Sequence, residues 1–422
     1  MRTRLLNYGL IAVCFTTLFS CTKNPGIYQE PRDGKTIYVE SNDYHANSNA
    51  ILAYRQKADG SLEKLPGSPF YTGGAGLANP MQVLGPDDTD IPLVVSSDGN
   101  FLLAVNGGSN TIAVFSIGRD GSLTPVPGSP FPSGGQTPCS IAINGRFVYV
   151  ANKSFDPLHT ITELPNYTTL TIDGAGRLVP VPGAKIEEPA GSSPSQVLVS
   201  NDHRFLFATD FLAFMLMEKA PVGTLESISL DGYGGLNEAP GSPYVLPAGD
   251  GGALGLWQHP FSQTLYVGFP VKSAVGVYSI DPGTGVLSFQ TSVAAGAAAC
   301  WLRTNPKGDR LYVLNSAENT VSIYNTTTPA SPVFLTKFSL KDPGPLYGAG
   351  MATSSEDFAL GFAPSGKYLY IVSQSTNPDF SAGDFNFLHV LDVAPDGTLT
   401  EPTEPVQLPV GSDIRPQGVA VN

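Results

Sequence analysis

The stretch GSLTPVPGSPFPSGG, residues 121–135, decides the fold, because the chain repeats it. A near-copy, GSLEKLPGSPFYTGG, spans residues 60–74, and a shorter version, GGLNEAPGSPY, begins at Gly234. Glycine and Asp-Gly favour tight hairpin turns, and proline is tolerated where a strand has one unpaired side. No helical pattern follows the glycines, which argues against a phosphate-binding loop. We therefore predict that each copy is the last hairpin and the outermost strand of a repeated unit.

Seven β-rich segments recur along the chain and predict the number of these units. They are TIYVES at 36, FLLAVN at 101, FVYVAN at 147, FLFATD at 205, LYVGF at 265, LYVLNS at 311 and YLYIVS at 368. Most follow a Gly-containing turn, and most precede a second β-rich run such as NTIAVFSI at 110. Four strands in meander order are typical of a propeller blade. The sequence therefore predicts an all-β fold, a seven-bladed β-propeller of four-stranded antiparallel blades.

The two ends of the repeat region predict how the ring closes. Little but linker precedes Thr36, so the first unit lacks an innermost strand, whereas RPQGVAVN, residues 415–422, is a strand without a unit. Pairing the two would hide two exposed sheet edges. We predict that the C-terminal strand closes the ring.

Composition excludes several classes of function. The formal net charge is −13 and no Lys/Arg cluster occurs, which argues against nucleic-acid binding. Beyond the first 21 residues only Cys139 and Cys300 remain, too few for a disulfide scaffold or a zinc site. No H-x-H or H-E-x-x-H spacing and no cofactor-attachment motif is present, so we expect neither a metal nor a cofactor.

The first twenty residues have the pattern of an export signal. Arg2 and Arg4 precede an apolar stretch too short to stay in a membrane as a spanning helix. The stretch ends in LFSC, residues 18–21, which resembles the lipobox of bacterial lipoproteins and implies lipid modification of Cys21. The alternative is an ordinary secretory signal. We predict a signal peptide over residues 1–20, a linker over 21–33, a propeller over 34–422, and a protein anchored in the cell envelope at the outer membrane or periplasmic face.

The repeated units resemble the lactonase family of seven-bladed propellers, which includes bacterial 6-phosphogluconolactonases and cyclic-muconate enzymes. The resemblance runs from about residue 34 to 422, through units of the form dGrflYvaN, ntvsvysi and dGsLt.vpgsPf. It implies the propeller fold and suggests lactone hydrolysis. That reaction needs a base to activate water and a cation or donor for the developing oxyanion.

Two motifs of the resembling enzymes align with different residues here. The histidines of a PHxHS motif fall on Ser193 and Ser195 in SSPSQVLVS, residues 192–200. The motif GPRHLxFHPxG followed by NE falls on residues 298–308 and 315–316, which places Cys300, Trp301 and Ser316 at its Arg, His and Glu. An alternative register in TPCSIAI, residues 137–143, places Cys139 at the Arg and Ser140 at the His. The implied catalytic groups are therefore replaced.

Four long loops do not repeat, and loops of this kind on a rigid scaffold often carry function. They span residues 41–49, 152–169, 210–224 and 373–386. We take His45, Asp210 and Asp384 as candidate ligand-binding residues on the top face, and His159 and Arg303 as a candidate base and oxyanion partner. The apolar run FLAFMLM, residues 211–217, is either packed over its blade or exposed as a binding patch.

Two functions remain open at this point. The first is a lipid-anchored envelope protein, expected to be monomeric, that binds a small molecule or a protein at its top face and touches the membrane through Cys21. The second is a lactone hydrolase, 6-phosphogluconolactonase-like, that uses a divergent set of residues on the top face.

Overall fold

The computed structural model describes residues 36–80, 88–211, 224–247, 251–344, 353–376 and 385–422. Several predictions lie outside these ranges: the signal peptide, the linker, the lipidation of Cys21, the binding role of Asp384, and the packing of the apolar run beyond Phe211. Within the described residues, no helix is long and apolar enough to cross a membrane.

Within the described residues, thirty-two short strands form seven antiparallel sheets, numbered here as blades 1–7. Blade 1 comprises β1 (Thr36–Glu40), β2 (Ala50–Gln56), β3 (Leu62–Lys64), β4 (Phe70–Tyr71) and β32 (Gln417–Val421). Blade 2 comprises β5 (Leu93–Val95), β6 (Phe101–Asn106), β7 (Thr111–Ile117), β8 (Leu123–Pro125) and β9 (Phe131–Pro132). Blade 3 comprises β10 (Pro138–Asn144), β11 (Phe147–Asn152), β12 (Asn166–Ile172) and β13 (Leu178–Glu187).

Blade 4 comprises β14 (Pro194–Val199), β15 (Phe205–Asp210), β16 (Thr224–Leu230), β17 (Leu236–Glu238) and β18 (Tyr244–Val245). Blade 5 comprises β19 (Leu256–Gln258), β20 (Thr264–Phe269), β21 (Ala274–Ile280) and β22 (Leu287–Ala294). Blade 6 comprises β23 (Ala299–Thr304), β24 (Arg310–Asn315), β25 (Thr320–Asn325) and β26 (Val333–Ser339). Blade 7 comprises β27 (Ser355–Phe362), β28 (Tyr368–Ser375), β29 (Phe387–Val393), β30 (Leu399–Thr400) and β31 (Val406–Gln407).

The C-terminal strand closes the ring. Strand β32 pairs antiparallel with β1, with Val419 opposite Val39. The pairing ends in two backbone hydrogen bonds between Thr36 and Asn422, at 3.3 and 3.0 Å. The predicted seven-bladed propeller and its mode of closure are therefore confirmed.

The repeated phrase lies at the outer edge of its blade but is not one continuous strand. In blades 1, 2, 4 and 7 the outermost strand is two short pieces that pair with the same third strand. Between the pieces of blade 2, Gly128 adopts a left-handed φ of 91°, which takes the chain out of the ladder. The Ser129 hydroxyl then accepts the Val114 N–H at 2.9 Å. The predicted outermost strand is therefore present but not continuous, because the chain leaves the ladder at Gly128.

Buried tyrosines on the second strands tie neighbouring blades together. The hydroxyl of Tyr38 donates to the Gly121 carbonyl, and that of Tyr312 donates to the Gly397 carbonyl, both at 2.8 Å. Each acceptor lies in the hairpin between the third and outermost strands of the next blade. The tyrosine of the repeated β-rich segments is therefore part of the scaffold.

The inner strands are interrupted where they reach the centre of the ring. Their pairing shifts register between Pro138 and Ser140, between Pro194 and Gln196, and between Asp357 and Ala359. Such bulges redirect side chains. They set the positions of the residues described next.

Candidate functional site

A ring of seven equivalent positions on or near the starts of the inner strands surrounds the centre of the propeller. The ring residues are Ile91, Cys139, Ser195, Leu254, Cys300, Phe358 and Gln417. All except Ile91 are buried. The ring itself is apolar or neutral.

The segment Asp88–Ile91, which leads into blade 2, crosses this centre. The Asp90 N–H donates to the Ser195 carbonyl of blade 4 at 3.1 Å. The Trp301 indole of blade 6 donates to the Thr89 carbonyl at 2.7 Å. A segment that leads into blade 2 and contacts blades 4 and 6 must lie across the axis of the ring. We call Asp88–Ile91 the central segment.

Blade 3 holds the same segment. The Ser140 hydroxyl donates to the Asp90 carbonyl at 2.6 Å, and the Ile141 N–H donates to the Ile91 carbonyl at 3.0 Å. Ile91 has a φ of 58°, a left-handed conformation that is unfavourable for a β-branched residue. The surrounding hydrogen bonds keep the backbone in this conformation.

Arg303 is paired with the central segment. Its guanidinium donates to both carboxylate oxygens of Asp90, at 2.8 and 2.6 Å, and both side chains are at least nine-tenths buried. The Trp257 ring lies 4.6 Å from the guanidinium carbon. In a buried bidentate pair of this kind, the Asp90 carboxylate neutralises the positive charge that Arg303 would need to stabilise an oxyanion.

The structure does not bring the candidate base His159 to Arg303. His159 lies in the loop between the second and third strands of blade 3, and its exposed ring is 2.6 Å from the Asp156 carboxylate. Arg303 lies opposite Tyr312 near the other end of its blade, next to the turn between the first and second strands. No described contact joins the two side chains.

The candidate binding residues are also apart. His45 is exposed in blade 1, with Nδ1 2.8 Å from Asp43 and Nε2 4.0 Å from Asp413. Asp210 is buried in blade 4 and accepts the Ser193 N–H. No described contact joins His45 to Asp210, and their blades are separated by two others. Their roles in binding remain predictions.

The positions that align with the family's catalytic motif are buried. Burial raises the pKa of the Cys300 thiol well above its usual value, although the Ser316 hydroxyl opposes the shift. The thiol is therefore protonated at neutral pH and is a poor nucleophile. The Trp301 ring packs 4.2 Å from Phe358 and contributes no acid or base. At the other motif, the Ser195 hydroxyl donates to the Ser193 carbonyl at 3.1 Å.

Next to Cys300, blades 6 and 7 bring together a polar cluster that sequence reasoning missed. Its residues are Cys300, Ser316, Asn319, Glu356 and Asp357, and we call it the acidic cluster. Ser316 begins the turn after β24, Asn319 ends that turn, and the two acids lie on the inner strand β27. Glu356 is half-buried and Asp357 is fully buried.

Burial raises the pKa values of both acids in the acidic cluster. It raises the pKa of Asp357 well above its usual value; the neighbouring Glu356 adds to the shift, and the Ser316 hydroxyl and the Asn315 N–H oppose it. Burial also raises the pKa of Glu356 to about 7. Glu356 therefore titrates near neutral pH, in the range that suits a general acid or base.

The sequence contains a signal for the acidic cluster. Glu356 and Asp357 are consecutive acids directly before Phe358, a position already assigned to the central ring. A strand places consecutive side chains on opposite faces, so at least one of two adjacent acids on an inner strand is drawn into the protein. That argument would have identified Asp357.

A buried serine–histidine–glutamate chain in blade 7 has the connectivity of a hydrolytic triad. His389 is hydrogen-bonded to the Ser373 hydroxyl at 2.9 Å and to Glu401 at 2.7 Å. Ser373 and His389 have no exposed surface, and the Glu401 side chain is 2% exposed. A substrate could not reach Ser373. The three hydrogen-bonded side chains therefore link the strands of blade 7 and do not form an active site.

A cavity of about 440 Å³ is lined by Arg303 and by residues of the neighbouring inner strands. Trp257, Pro306, Leu360 and Val419 are among its lining residues. In the part of the chain that the structure describes, no group of three or more His, Cys, Asp or Glu side chains is arranged to hold a metal ion.

Comparison with protein families supports the resemblance seen in the sequence. The family model described as lactonase, 7-bladed beta-propeller, matches residues 90–186, which cover the central segment from Asp90 and blades 2 and 3. The chain thus resembles the lactonase family in sequence over these blades and in fold throughout the described residues. No curated protein sequence matches the chain.

Solved structures share the whole fold at low sequence identity. A putative 6-phosphogluconolactonase from Bacteroides fragilis is 16% identical, with a TM-score of 0.66, over 93% of this chain and 99% of that one. A second, from Bacteroides uniformis, is 18% identical, with a TM-score of 0.65, over 92% and 100%. The periplasmic gluconolactonase PpgL from Pseudomonas aeruginosa is 19% identical, with a TM-score of 0.66, over 92% and 99%. At such identities the similarity establishes the fold and not the activity.

Proposed function

We propose that this seven-bladed propeller, which resembles the lactonase family, is an envelope protein that binds a ligand and does not hydrolyse lactones. One observation carries the proposal: the Asp90 carboxylate of the central segment takes both arms of the Arg303 guanidinium. Arg303 is the candidate oxyanion partner for a lactonase site at the centre of the ring. It is committed to the scaffold instead.

The residues at the family's motif positions support the same conclusion. Opening a lactone ring needs an activated water and a donor for the oxyanion. Cys300 carries a protonated thiol, Trp301 donates its only N–H to Thr89, and Ser316 is a neutral hydroxyl. None of the three supplies the Arg, His or Glu that the motif has at these positions.

The envelope part of the proposal comes from the N-terminal sequence. A basic start, a short apolar stretch and LFSC occur in the order that lipoprotein signals require. The similar P. aeruginosa structure is named periplasmic. The high negative charge suits a protein exposed to solvent rather than to nucleic acid.

A panel of lactones tests the proposal. The purified chain without its first 21 residues is incubated with glucono-δ-lactone, 6-phosphogluconolactone and aliphatic lactones, and acid release is followed. We expect the rates of the protein and of buffer alone to agree. Turnover above the buffer rate that disappears in His159→Ala would contradict the proposal, and the exposed Lys57→Ala serves as the control variant.

A lactone hydrolase with a divergent site is the second candidate, and one observation favours it. Glu356 is half-buried in the acidic cluster, and burial raises its pKa to about 7, which suits a general base. In that case turnover would rise with pH through an inflection near 7. Glu356→Gln would abolish the inflection and the turnover, whereas His159→Ala would leave both unchanged.

A further inference from the structure

We propose that the cavity lined by Arg303 binds a compact, uncharged hydrophobic molecule. We call it the central cavity; its volume is about 440 Å³, and the inner strands and the turns that follow them supply its lining. This inference rests on the proposed function, because it names the class of ligand for a binding protein. It concerns a different part of the inner strands from the positions that align with the family's catalytic motifs.

The central cavity lies where the inner strands end. Several of its lining residues are the last residues of their inner strands: Val95, Thr304, Phe362 and Val421. The motif position Cys300 lies near the start of its strand. Ile91 of the central segment also lines the cavity, as does Arg303, which is paired with that segment. Because the central segment crosses the axis of the ring, it closes the cavity on that side.

Apolar side chains of kinds that proteins normally bury stay partly exposed around the cavity. They are Ile91, Val94, Phe362, Val419 and Val421, and Trp257 adds partly exposed ring surface. Isoleucine, valine and phenylalanine are among the residues most often buried. A cavity of about 300–1,000 Å³ with mostly apolar and aromatic walls is typical of small-molecule sites. A hydrophobic ligand would remove this surface from water, which favours binding.

The charge of the lining favours an uncharged ligand. Among the residues that the structure describes, Arg303 is the only charged residue in the lining. Its guanidinium donates to both carboxylate oxygens of Asp90, and both side chains are at least nine-tenths buried. An anionic ligand would have to separate this buried pair, which is costly. A cationic ligand would compete with Arg303 for the same carboxylate.

The uncharged polar side chains of the lining already have hydrogen bonds within the protein. These side chains are Asn201, Gln258, Thr304 and Asn305. The Thr304 hydroxyl accepts the Trp257 indole N–H at 3.0 Å, and the Asn305 amide donates to Asp309 at 2.7 Å. The Asn201 amide donates to the His259 carbonyl at 2.9 Å, and Gln258 accepts the Asn201 backbone N–H at 2.8 Å. A polar ligand would have to compete with these bonds, whereas a hydrophobic ligand leaves them intact.

The turns at the rim make the cavity accessible and extend its apolar surface. Pro306 and Pro364 line the cavity and are exposed to solvent. Pro260 also lines it, and the next residue, Phe261, is 74% exposed. A hydrophobic molecule can therefore reach the lining from solvent past an apolar rim.

Fluorescence titration with two probes that differ in one group tests the inference. N-phenylnaphthylamine is uncharged and fluoresces strongly in apolar surroundings, and anilinonaphthalene sulfonate carries an added sulfonate on the same ring system. The titration uses the protein of the lactone panel, which contains the whole closed ring. We expect a saturable, blue-shifted signal from the uncharged probe and binding of the sulfonate that is weaker by about tenfold or more. This comparison needs no substitution.

Matched variants locate the bound probe. Val94→Phe and Val419→Phe each add a ring at a partly exposed lining position, and each should weaken binding of the uncharged probe about tenfold or more. Val179→Phe makes the same change at an exposed position of β13, outside the lining, and should change the affinity by less than about twofold. Circular dichroism checks that each variant folds. If Val94→Phe does not fold, Val419→Phe reports on the same cavity.

Three outcomes overturn the inference: no saturable binding of the uncharged probe, binding that the two lining variants leave unchanged, or a sulfonate that binds as tightly as the uncharged probe. The lactone panel decides the proposed function separately. Lactone turnover together with probe binding in the cavity would refute the proposed absence of catalysis and leave this inference standing. No turnover and no probe binding would do the reverse.

Discussion

At the residue scale, Arg303 shows how a side chain of the right chemical type can be occupied elsewhere. As an arginine on an inner strand it was a reasonable oxyanion partner. The carboxylate that it binds belongs to Asp90, which is 213 residues away in sequence. A single chain gives no signal that connects two such distant residues, so only the folded structure reveals the pair.

Replacing one member of this pair should destabilise the protein strongly. Arg303→Ala leaves the Asp90 carboxylate buried without a counter-charge, which should lower the free energy of unfolding by about 3–5 kcal/mol. Urea unfolding followed by tryptophan fluorescence measures the loss. The double variant Arg303→Met, Asp90→Leu should recover much of it, because no charge stays buried. A loss below about 1 kcal/mol, as expected for the exposed Lys57–Glu63 pair, would contradict a buried structural role.

At the element scale, the repeated phrase predicts the order of the strands but not the break within the outermost strand. Composition and turn residues predict a last strand, and each copy does run along the edge of its blade. The left-handed glycine and the prolines then prevent a continuous ladder. Ser68, Ser129 and Ser242 each accept a third-strand N–H at 2.9–3.0 Å, which replaces the missing backbone partner. The serine of PGSP is therefore structural in three blades.

Removing this serine should cost stability without changing the fold. Ser129→Ala leaves the Val114 N–H without an acceptor, which should lower the free energy of unfolding by about 1–2 kcal/mol. Denaturant unfolding measures the change. Ser122→Ala, in the exposed turn of the same phrase, should cost less, because its hydroxyl is bonded only to Asp120 at the surface. If the two variants lowered the free energy of unfolding equally, the Ser129 hydrogen bond would contribute no more to stability than the exposed Ser122 contact.

At the scale of the whole molecule, the ring depends on pairing between its two ends. Strand β32 is the inner strand of blade 1, and it also contacts the inner strands of blades 2 and 7. Without it, β1 would present an unpaired edge at the centre. The hydrophobic cores between blade 1 and its neighbours, blades 2 and 7, would also lose packing contacts.

A chain that stops at Pro416 should therefore lose cooperative unfolding. We expect a broad thermal transition by circular dichroism and a tendency to associate through the open edge, measured by size-exclusion chromatography. A synthetic peptide of residues 415–422 should restore a sharp transition, and a peptide of the same composition in scrambled order should not. A truncated chain that melts as sharply as the full chain, and at the same temperature, would disprove closure by β32.

The sequence by itself determined the all-β class, the seven blades and the closing strand, because hydrophobic alternation and turn chemistry are local and repeat along the chain. Only the tertiary structure shows which residues meet at the centre of the ring. The central segment, the Arg303–Asp90 pair and the acidic cluster all join residues from different blades. Their contacts depend on how the ring brings distant strands together, and local patterns carry no record of that.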